Sequence, residues 1–463
     1  KKIFFYRICG TGMGACACIL KEKGYDVEGG DNNFYPPMSQ YLESTGITTC
    51  NLNEMDCSYL KSFDLIVVGN VVPKNSEDAK IIEECDTPFI SFPSALGALV
   101  LKDQNVVGIA GTHGKTTTTY FLSQMFEYLG MSPGYFIGGV MDGRAPSRLG
   151  DGKYFFIESD EYDCAYFEKV SKFRLYSLDH LILTSLELDH ADIFENIEQI
   201  KNEFRELIPN VSGQHIYCDD YQENKNLANE FLNCNPVYYG GATEYGPHNI
   251  IVQENKTSFT LNYKNENYSF ETNIIGNHNI LNITSCILFA LKEGIELEKI
   301  QQSVQKLSLV KRRQEFKGYF GKSIVIDDFA HHPKAVLVTI DAIKDSYPGK
   351  KIIVVMEPHS ATARSSIFQE GFTESLKLAD KVLVTKLPKP TTARGADDLD
   401  LEKMIADLNS SDTESFIINN LKELREKLDS FKISEHIILI LSNGTCLGLW
   451  QSSFVEELEQ QKK

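Results

Sequence analysis

Residues 105–126, NVVGIAGTHGKTTTTYFLSQMF, read as a buried strand, a glycine-bearing turn and the start of a helix. The strand is rich in apolar and β-branched residues up to Ala110. Beyond the turn, Phe121, Leu122, Met125, Phe126 and Leu129 recur at helical spacing and form one apolar face. The turn itself is Gly111-Thr112-His113-Gly114-Lys115-Thr116-Thr117. Backbone N–H groups and the helix dipole face an anion there, Lys115 adds a point charge, and the Thr116 hydroxyl is placed to reach Mg²⁺. Such a device binds polyphosphate, so ATP with Mg²⁺ is the expected ligand. It departs from the usual phosphate loop in one place: the glycine that normally opens the loop is Ile109.

On either side, strand and helix signals alternate. Upstream, KIFFYRIC, YDVEGGD and FDLIVVGN read as strands and GMGACACILKEKG as a helix. The apolar pattern stops around Leu101–Asn105, which sets a first unit at 1–103. A second unit, 104–309, opens with the phosphate loop and includes GNHNILNITSCILFALKEG, with polar–apolar alternation over 249–275 that predicts antiparallel hairpins. A third, 310–463, alternates again: KSIVIDDF, a helix from Pro333, KKIIVVMEP, KVLVTKL and EHIILILSNG. The fold class is α/β with parallel sheets.

Composition narrows the function. The net charge is −18 and no basic block stands out, so nucleic acid is not an expected partner. The 11 cysteines are scattered through apolar segments and make no zinc-type spacing, which fits buried thiols in a reducing compartment. No apolar run approaches a bilayer span and the N-terminus reads as a strand rather than a leader, so a cytoplasmic protein without membrane insertion is expected. The oligomeric state is left open.

Two residues downstream of the loop deepen the picture. Glu158 ends the apolar strand of FFIESDEYD, and His190 closes that of LTSLELDHADIF. Both are expected at the carboxyl edge of the sheet, where with Thr116 they would make a hard-cation site. A GTPase would add a base-reading NKxD motif, which is absent, and a simple nucleoside kinase would lack two further α/β units. Near the N-terminus, Gly10-Thr11-Gly12-Met13-Gly14 follows a strand and Asp31 ends the next. That is a weak dinucleotide signal, and a hydride-transfer enzyme, its usual meaning, leaves the phosphate loop unexplained.

The ordered set GTHGKTTT, ESDEYD, LELDHADIF, GNHNILN, KRRQE and DDFAHHP resembles the Mur ligases, over essentially the whole chain. The resemblance implies a UDP-binding Rossmann-like domain, a central P-loop ATPase with a small antiparallel sheet, and a C-terminal Rossmann-like domain that closes on ATP and binds the amine substrate. It implies Lys115 at the β/γ-phosphates, Thr116, Glu158 and His190 around Mg²⁺, and Asn277, His278 and Asn279 by the adenine. Arg313 is implied at the phosphates and Asp328 at the ribose, with Lys115, Glu158, His190 and Arg313 as the catalytic set. The bland readings are Asn279 as a helix cap, Arg312 as a solvated charge and Asp327 as a strand-end neighbour. For a UDP-sugar, the resemblance implies Gly12, Met13, Gly14, Asp31 and Asn70 in the first domain, and Gly138, Gly139 and Arg148 in the second. A lysine that many members carbamoylate falls near Phe204 here, with Lys201 about a turn away, so no carbamate is carried over.

Within that family, HHP and the paired arginines resemble the two branches that act on the lactyl carboxylate of UDP-N-acetylmuramate. One adds L-alanine, the other the tripeptide L-alanyl-γ-D-glutamyl-meso-diaminopimelate. NNFYPPMS, PGYFIGGV, LSNG and the long connection EYDCAYFEKVSKFRLYS favour the tripeptide branch, while His359 in EPHSATARSS resembles the alanine adder. Lys169, Lys172, Phe173 and Arg174 in that connection read as a solvated basic turn, or else as part of an acceptor site or an interface. A non-catalytic sensor descended from a ligase is the rival class, and the intact metal set argues against it.

Overall fold

The structure, a computed structural model, describes residues 1–34, 38–55, 57–138, 144–188, 194–253, 256–360, 363–391 and 396–459. Its chain forms three α/β layers in sequence order, each around its own sheet.

The first sheet has five parallel strands in the spatial order Thr48–Asn51, Asp26–Asp31, Lys2–Tyr6, Leu65–Val68, Phe89–Ser91. The order reverses beside Lys2–Tyr6, and there the helix Thr11–Glu22 begins with Gly10 as its N-cap and no side-chain cap. Free N–H groups thus lie at the crevice where an α/β sheet binds ligands.

The second sheet runs Val237–Tyr239, His215–Cys218, His180–Leu183, Asn105–Ala110, Tyr154–Ser159, Gly134–Phe136, Ser147–Arg148, parallel except for its last pair. Asn105–Ala110 is central and buried on both faces, which explains its unbroken apolar run. It also explains Ile109, which is fully buried and pairs in register with Glu158 and Ile182, so the strand continues through the position where a phosphate loop usually begins. On the helix Lys115–Tyr128 the expected face is buried at Phe121, Leu122, Met125 and Phe126, with Leu129 at its margin. Strands His248–Gln253, Lys256–Tyr263 and Glu266–Thr272 form the expected antiparallel sheet.

The third sheet runs Glu315–Phe320, Ser323–Asp328, His436–Ser442, Lys351–Glu357, Lys381–Thr385, Glu414–Ile418, with only the first pair antiparallel. The helix Pro333–Ser346 starts with proline in its first turn, where no N–H is missed, and the His332 ring accepts a hydrogen bond from Lys334 N–H as its cap. Among the described residues no helix is long and apolar enough to cross a membrane.

Candidate active site

The phosphate loop is held open by its glycines and zipped to the neighbouring strand end. Gly111 has φ +127°, and a Cβ there would meet the Ser185 carbonyl oxygen at 2.5 Å. Gly114 has φ +86° and faces Asn282 Oδ1. Thr112 N–H donates to the Ser185 carbonyl at 2.9 Å and Glu187 N–H to Thr112 Oγ1 at 2.9 Å. His113 N–H donates to Ser185 Oγ at 2.7 Å. With the turn fixed from outside, the first N–H groups of the Lys115–Tyr128 helix have no side-chain cap and face the cavity beside it. The Lys115 ammonium donates to the Gly111 carbonyl and lies 3.7 Å from Glu161 Oε2.

That cavity, about 230 Å³, is lined from both sides of a domain boundary. The central unit contributes the loop, His278, Asn279 and Asn282; the third contributes Arg313, Gln314, Asp328 and His332. Asp328 accepts backbone hydrogen bonds from Gln314 and Ala330, each at 2.8 Å. Burial pushes its carboxyl pKa up, against the pull of the Arg313 guanidinium. His278 is driven down to about 4 by burial, then by the charges of Arg313 and His113, so its ring is neutral at physiological pH. Asn279 is buried and donates to the Ile275 carbonyl at 2.8 Å; it is not the helix cap, which is Gly276 without a side-chain bond. Asn277 is exposed at the start of its helix and does not line the cavity.

Thr116 and Glu158 come together beneath the loop. Burial raises the Glu158 pKa, opposed by Gly138 N–H at 2.8 Å, the Lys115 charge and the Thr116 hydroxyl. A desolvated carboxylate beside a hydroxyl is a donor set suited to a hard divalent cation, so these residues fit Mg²⁺. His190 and Gly139 lie outside the described residues.

At the first sheet, Gly12 and Gly14 allow close packing: a Cβ on Gly14 would sit 2.2 Å from Met38 Sδ, and one on Gly12 3.1 Å from the Phe92 ring. Met13 is buried in the same core. Asp31 accepts from Cys9 N–H at 2.9 Å and Asn32 N–H at 2.8 Å, and Asn70 is exposed at the strand edge. Arg148 is turned toward Glu127 at 3.3 Å and Ser132 at 3.2 Å.

Several sequence readings change. Arg312 is no solvated charge: it bonds Asp327 Oδ2 at 3.2 Å and the Gly444 carbonyl at 3.1 Å. Asp327 is buried rather than a bystander, its pKa raised to about 7 by burial, against the pull of Arg312. In the long connection Lys169 and Arg174 are exposed, as a solvated turn predicts, but Phe173 is buried in the core. Glu168 accepts from Ser94 Oγ at 2.9 Å and Phe167 meets Phe89 edge-on at 4.9 Å, so the connection straps the first unit to the second, while Lys172 pairs with Asp160 at 3.1 Å inside the second. Phe204 is core, and Lys201 is bound by Glu198 at 2.7 Å and Glu223 at 2.9 Å. Asn282, Gln314, His332 and Glu187 had escaped notice. All four lie inside the quoted motifs GNHNILN, KRRQE, DDFAHHP and LELDHADIF, and Asn282 is also one turn after Asn279 on the same helix face.

Comparison with known proteins agrees with this architecture. The family described as "Mur ligase family, catalytic domain" matches residues 2–103, "Mur ligase middle domain" 109–290 and "Mur ligase, glutamate ligase domain" 312–444. The chain is 32% identical to a UDP-N-acetylmuramate:L-alanyl-gamma-D-glutamyl-meso-2,6-diaminoheptandioate ligase of Haemophilus influenzae, over 97% of this chain and 98% of that one. It is 31% identical to a UDP-N-acetylmuramate:L-alanine ligase of Pediococcus pentosaceus, over 83% of this chain and 84% of that one. The crystal structure of a murein peptide ligase from Psychrobacter arcticus aligns with a TM-score of 0.70 at 26% identity, covering 97% of both chains. This chain belongs to the Mur ligase family.

Proposed function

We propose that the protein is a cytoplasmic ATP-dependent ligase. It joins the lactyl carboxylate of UDP-N-acetylmuramate to the amino group of L-alanyl-γ-D-glutamyl-meso-diaminopimelate, in recycling of cell-wall peptide. The observation that carries the ligase reading is the cavity itself, where a phosphate loop and helix N-terminus meet an arginine and a buried aspartate from another domain. Sequence identity supports the tripeptide as acceptor: two tripeptide ligases are 32% and 34% identical to this chain, against 31% for the L-alanine ligase of Pediococcus pentosaceus.

In this reading ATP fills the cavity with its phosphates on the loop, contacted by Lys115 and Arg313, and its ribose beside Asp328. Asn279, Asn282 and neutral His278 line the base end. Thr116, Glu158 and His190 would hold Mg²⁺, which supplies charge neutralisation at the phosphate oxygens. The UDP-sugar lies along the free N–H groups of the Thr11–Glu22 helix, with Asp31, Asn70, Gly139 and Arg148 as its further contacts.

A free carboxylate resists attack by an amine because it is anionic and resonance-stabilised. Transfer of the γ-phosphoryl group onto a lactyl oxygen gives an acyl phosphate and ADP. The acceptor amine then attacks the carbonyl carbon, and collapse of the tetrahedral intermediate expels phosphate and releases the amine proton. An α-amino group has a pKa of roughly 8, so a useful neutral fraction exists at pH 7 without a dedicated base.

The test is phosphate release with ATP, Mg²⁺, UDP-N-acetylmuramate and acceptor, omitting each in turn. Release is expected only with all four, and faster with tripeptide than with L-alanine. Preference for L-alanine would make this the biosynthetic enzyme.

A further inference from the structure

Three side chains distant in sequence converge at the edge of the cavity. His113 comes from the phosphate loop, Glu187 from the segment after strand His180–Leu183, and His332 from the third unit. His113 Nε2 lies 3.2 Å from Glu187 Oε2, the two imidazole rings are 4.7 Å apart, and one polar atom from each side chain falls within 4.8 Å of the others. His332 is 6% exposed. Despite its own burial, the Glu187 carboxyl is held below its usual range by His113, His332 and Lys334.

We propose that His332 is a positioning residue that couples closure of the third domain to the phosphate loop through Glu187 and His113. The proposal rests on reading the cavity as the ATP site. The tautomer decides what His332 does. Its Nδ1 accepts the capping bond from Lys334 N–H at 3.3 Å, so in the neutral ring Nε2 carries the proton. In that tautomer the ring brings an N–H, rather than a second lone pair, to the cluster it forms with His113 and Glu187. Closure brings this donor and the Lys334 charge to a carboxylate that the central unit alone serves with His113. Because residues 112, 113 and 187 are zipped together, the same contact holds the loop in the conformation that receives phosphate. A contact present only in the closed state raises the closed fraction, and a ligand that binds that state gains apparent affinity in proportion.

The test is a double-mutant cycle on ATP binding, measured by calorimetry with Mg²⁺ and UDP-N-acetylmuramate present. His332→Asn keeps the helix cap, since asparagine is a strong N-cap, but withdraws the reach to Glu187. His332→Asn and Glu187→Gln are each expected to raise the ATP Kd about tenfold. The double variant should bind no worse than either single one. X-ray scattering should show the variants needing correspondingly more ATP to reach the wild-type closed radius of gyration. Additive effects, or an unchanged Kd for His332→Asn, would overturn the coupling. Stoichiometric Zn²⁺ binding to wild type that His332→Asn abolishes would overturn it too, in favour of a metal site. If wild-type protein fails to bind ATP at all, the cavity reading itself falls.

Discussion

The seam between the first and second units and the seam between the second and third are made of different chemistry. At the first, one hydrophobic cluster runs without a break from the N-terminal sheet into the central one. Phe92 stacks on Phe136 with centroids 6.3 Å apart, Gly97 packs onto the Leu175 carbonyl, and Ser147 Oγ donates to the Ala15 carbonyl at 2.9 Å. The 163–175 connection adds a strap across it. At the second seam, the third unit keeps its apolar residues in clusters of its own. It meets the centre through the helix Pro333–Ser346, against helix Asn277–Lys292 and strand His248–Gln253, and across the polar cavity. An apolar seam is stabilised whether or not ligand is present, because exposing it costs free energy in proportion to its area. A polar seam built around a cavity gains most of its stabilisation when something fills it. Under the proposed function, the contrast makes the first joint the rigid one and the second the joint that closes on ligand.

The largest effect should come from the loop at the polar seam. Lys115→Ala removes the charge nearest the expected γ-phosphate, and turnover should fall by about two to three orders of magnitude, as for loss of a transition-state donor. UDP-N-acetylmuramate affinity, measured by calorimetry, should be nearly unchanged. Loss of both together would mean that the units do not divide the labour as the seams suggest.

The apolar seam should answer in stability instead. A Cβ at Gly97 would stand 2.0 Å from the Leu175 carbonyl oxygen, a backbone atom that cannot rotate away. Gly97→Val should destabilise by about 3 kcal/mol. Calorimetry should show a lower Tm while the remaining folded protein binds ATP normally. An unchanged Tm would show that this joint yields.

Charge at the polar side should make stability depend on pH. Asp327 has a folded pKa raised to about 7, against roughly 4 in the unfolded chain. Between those values the folded state holds the extra proton, so this group's stabilisation is complete below the lower pKa and lost as pH rises through the upper one. Replacing it by asparagine should flatten the decline between pH 5 and 8 by roughly 2 kcal/mol, read from denaturant midpoints. An identical decline in Asp327→Asn would assign it to other groups.

Much of this was legible beforehand where the signal is local. The strand Asn105–Ala110, the helix after it and the loop between them follow from periodicity and glycine placement, and the helix at Pro333 from its proline. Strands of three or four residues, such as Thr48–Asn51, Phe89–Ser91 and Gly134–Phe136, carry too few positions for alternation to show. The site divides the same way. Thr116 sits in the first turn of the helix after the loop and Glu158 near the end of the neighbouring strand, both predictable, whereas His113, Glu187 and His332 meet only because three separate segments fold onto one cavity. Arg312 was misread because burial of a charged side chain is set by tertiary partners rather than by residue type, as Asp327 and the Gly444 carbonyl show.

The smallest predicted effect is the sharpest test of the contrast. Ser147→Ala deletes one buried hydrogen bond across the apolar seam and leaves the Ala15 carbonyl without that donor. The cost should be about 1 kcal/mol, the usual net value of such a bond, and a drop of only a few degrees in Tm. His332→Asn is a change of similar size at the other seam, and its cap is retained. If the two joints are built for different purposes, Ser147→Ala lowers Tm without altering the ATP Kd, and His332→Asn raises the Kd with little change in Tm of the ligand-free protein. An ATP affinity that followed Ser147 would mean that the first joint moves with the second. The apolar packing would then belong to the closing motion rather than to the frame against which it works.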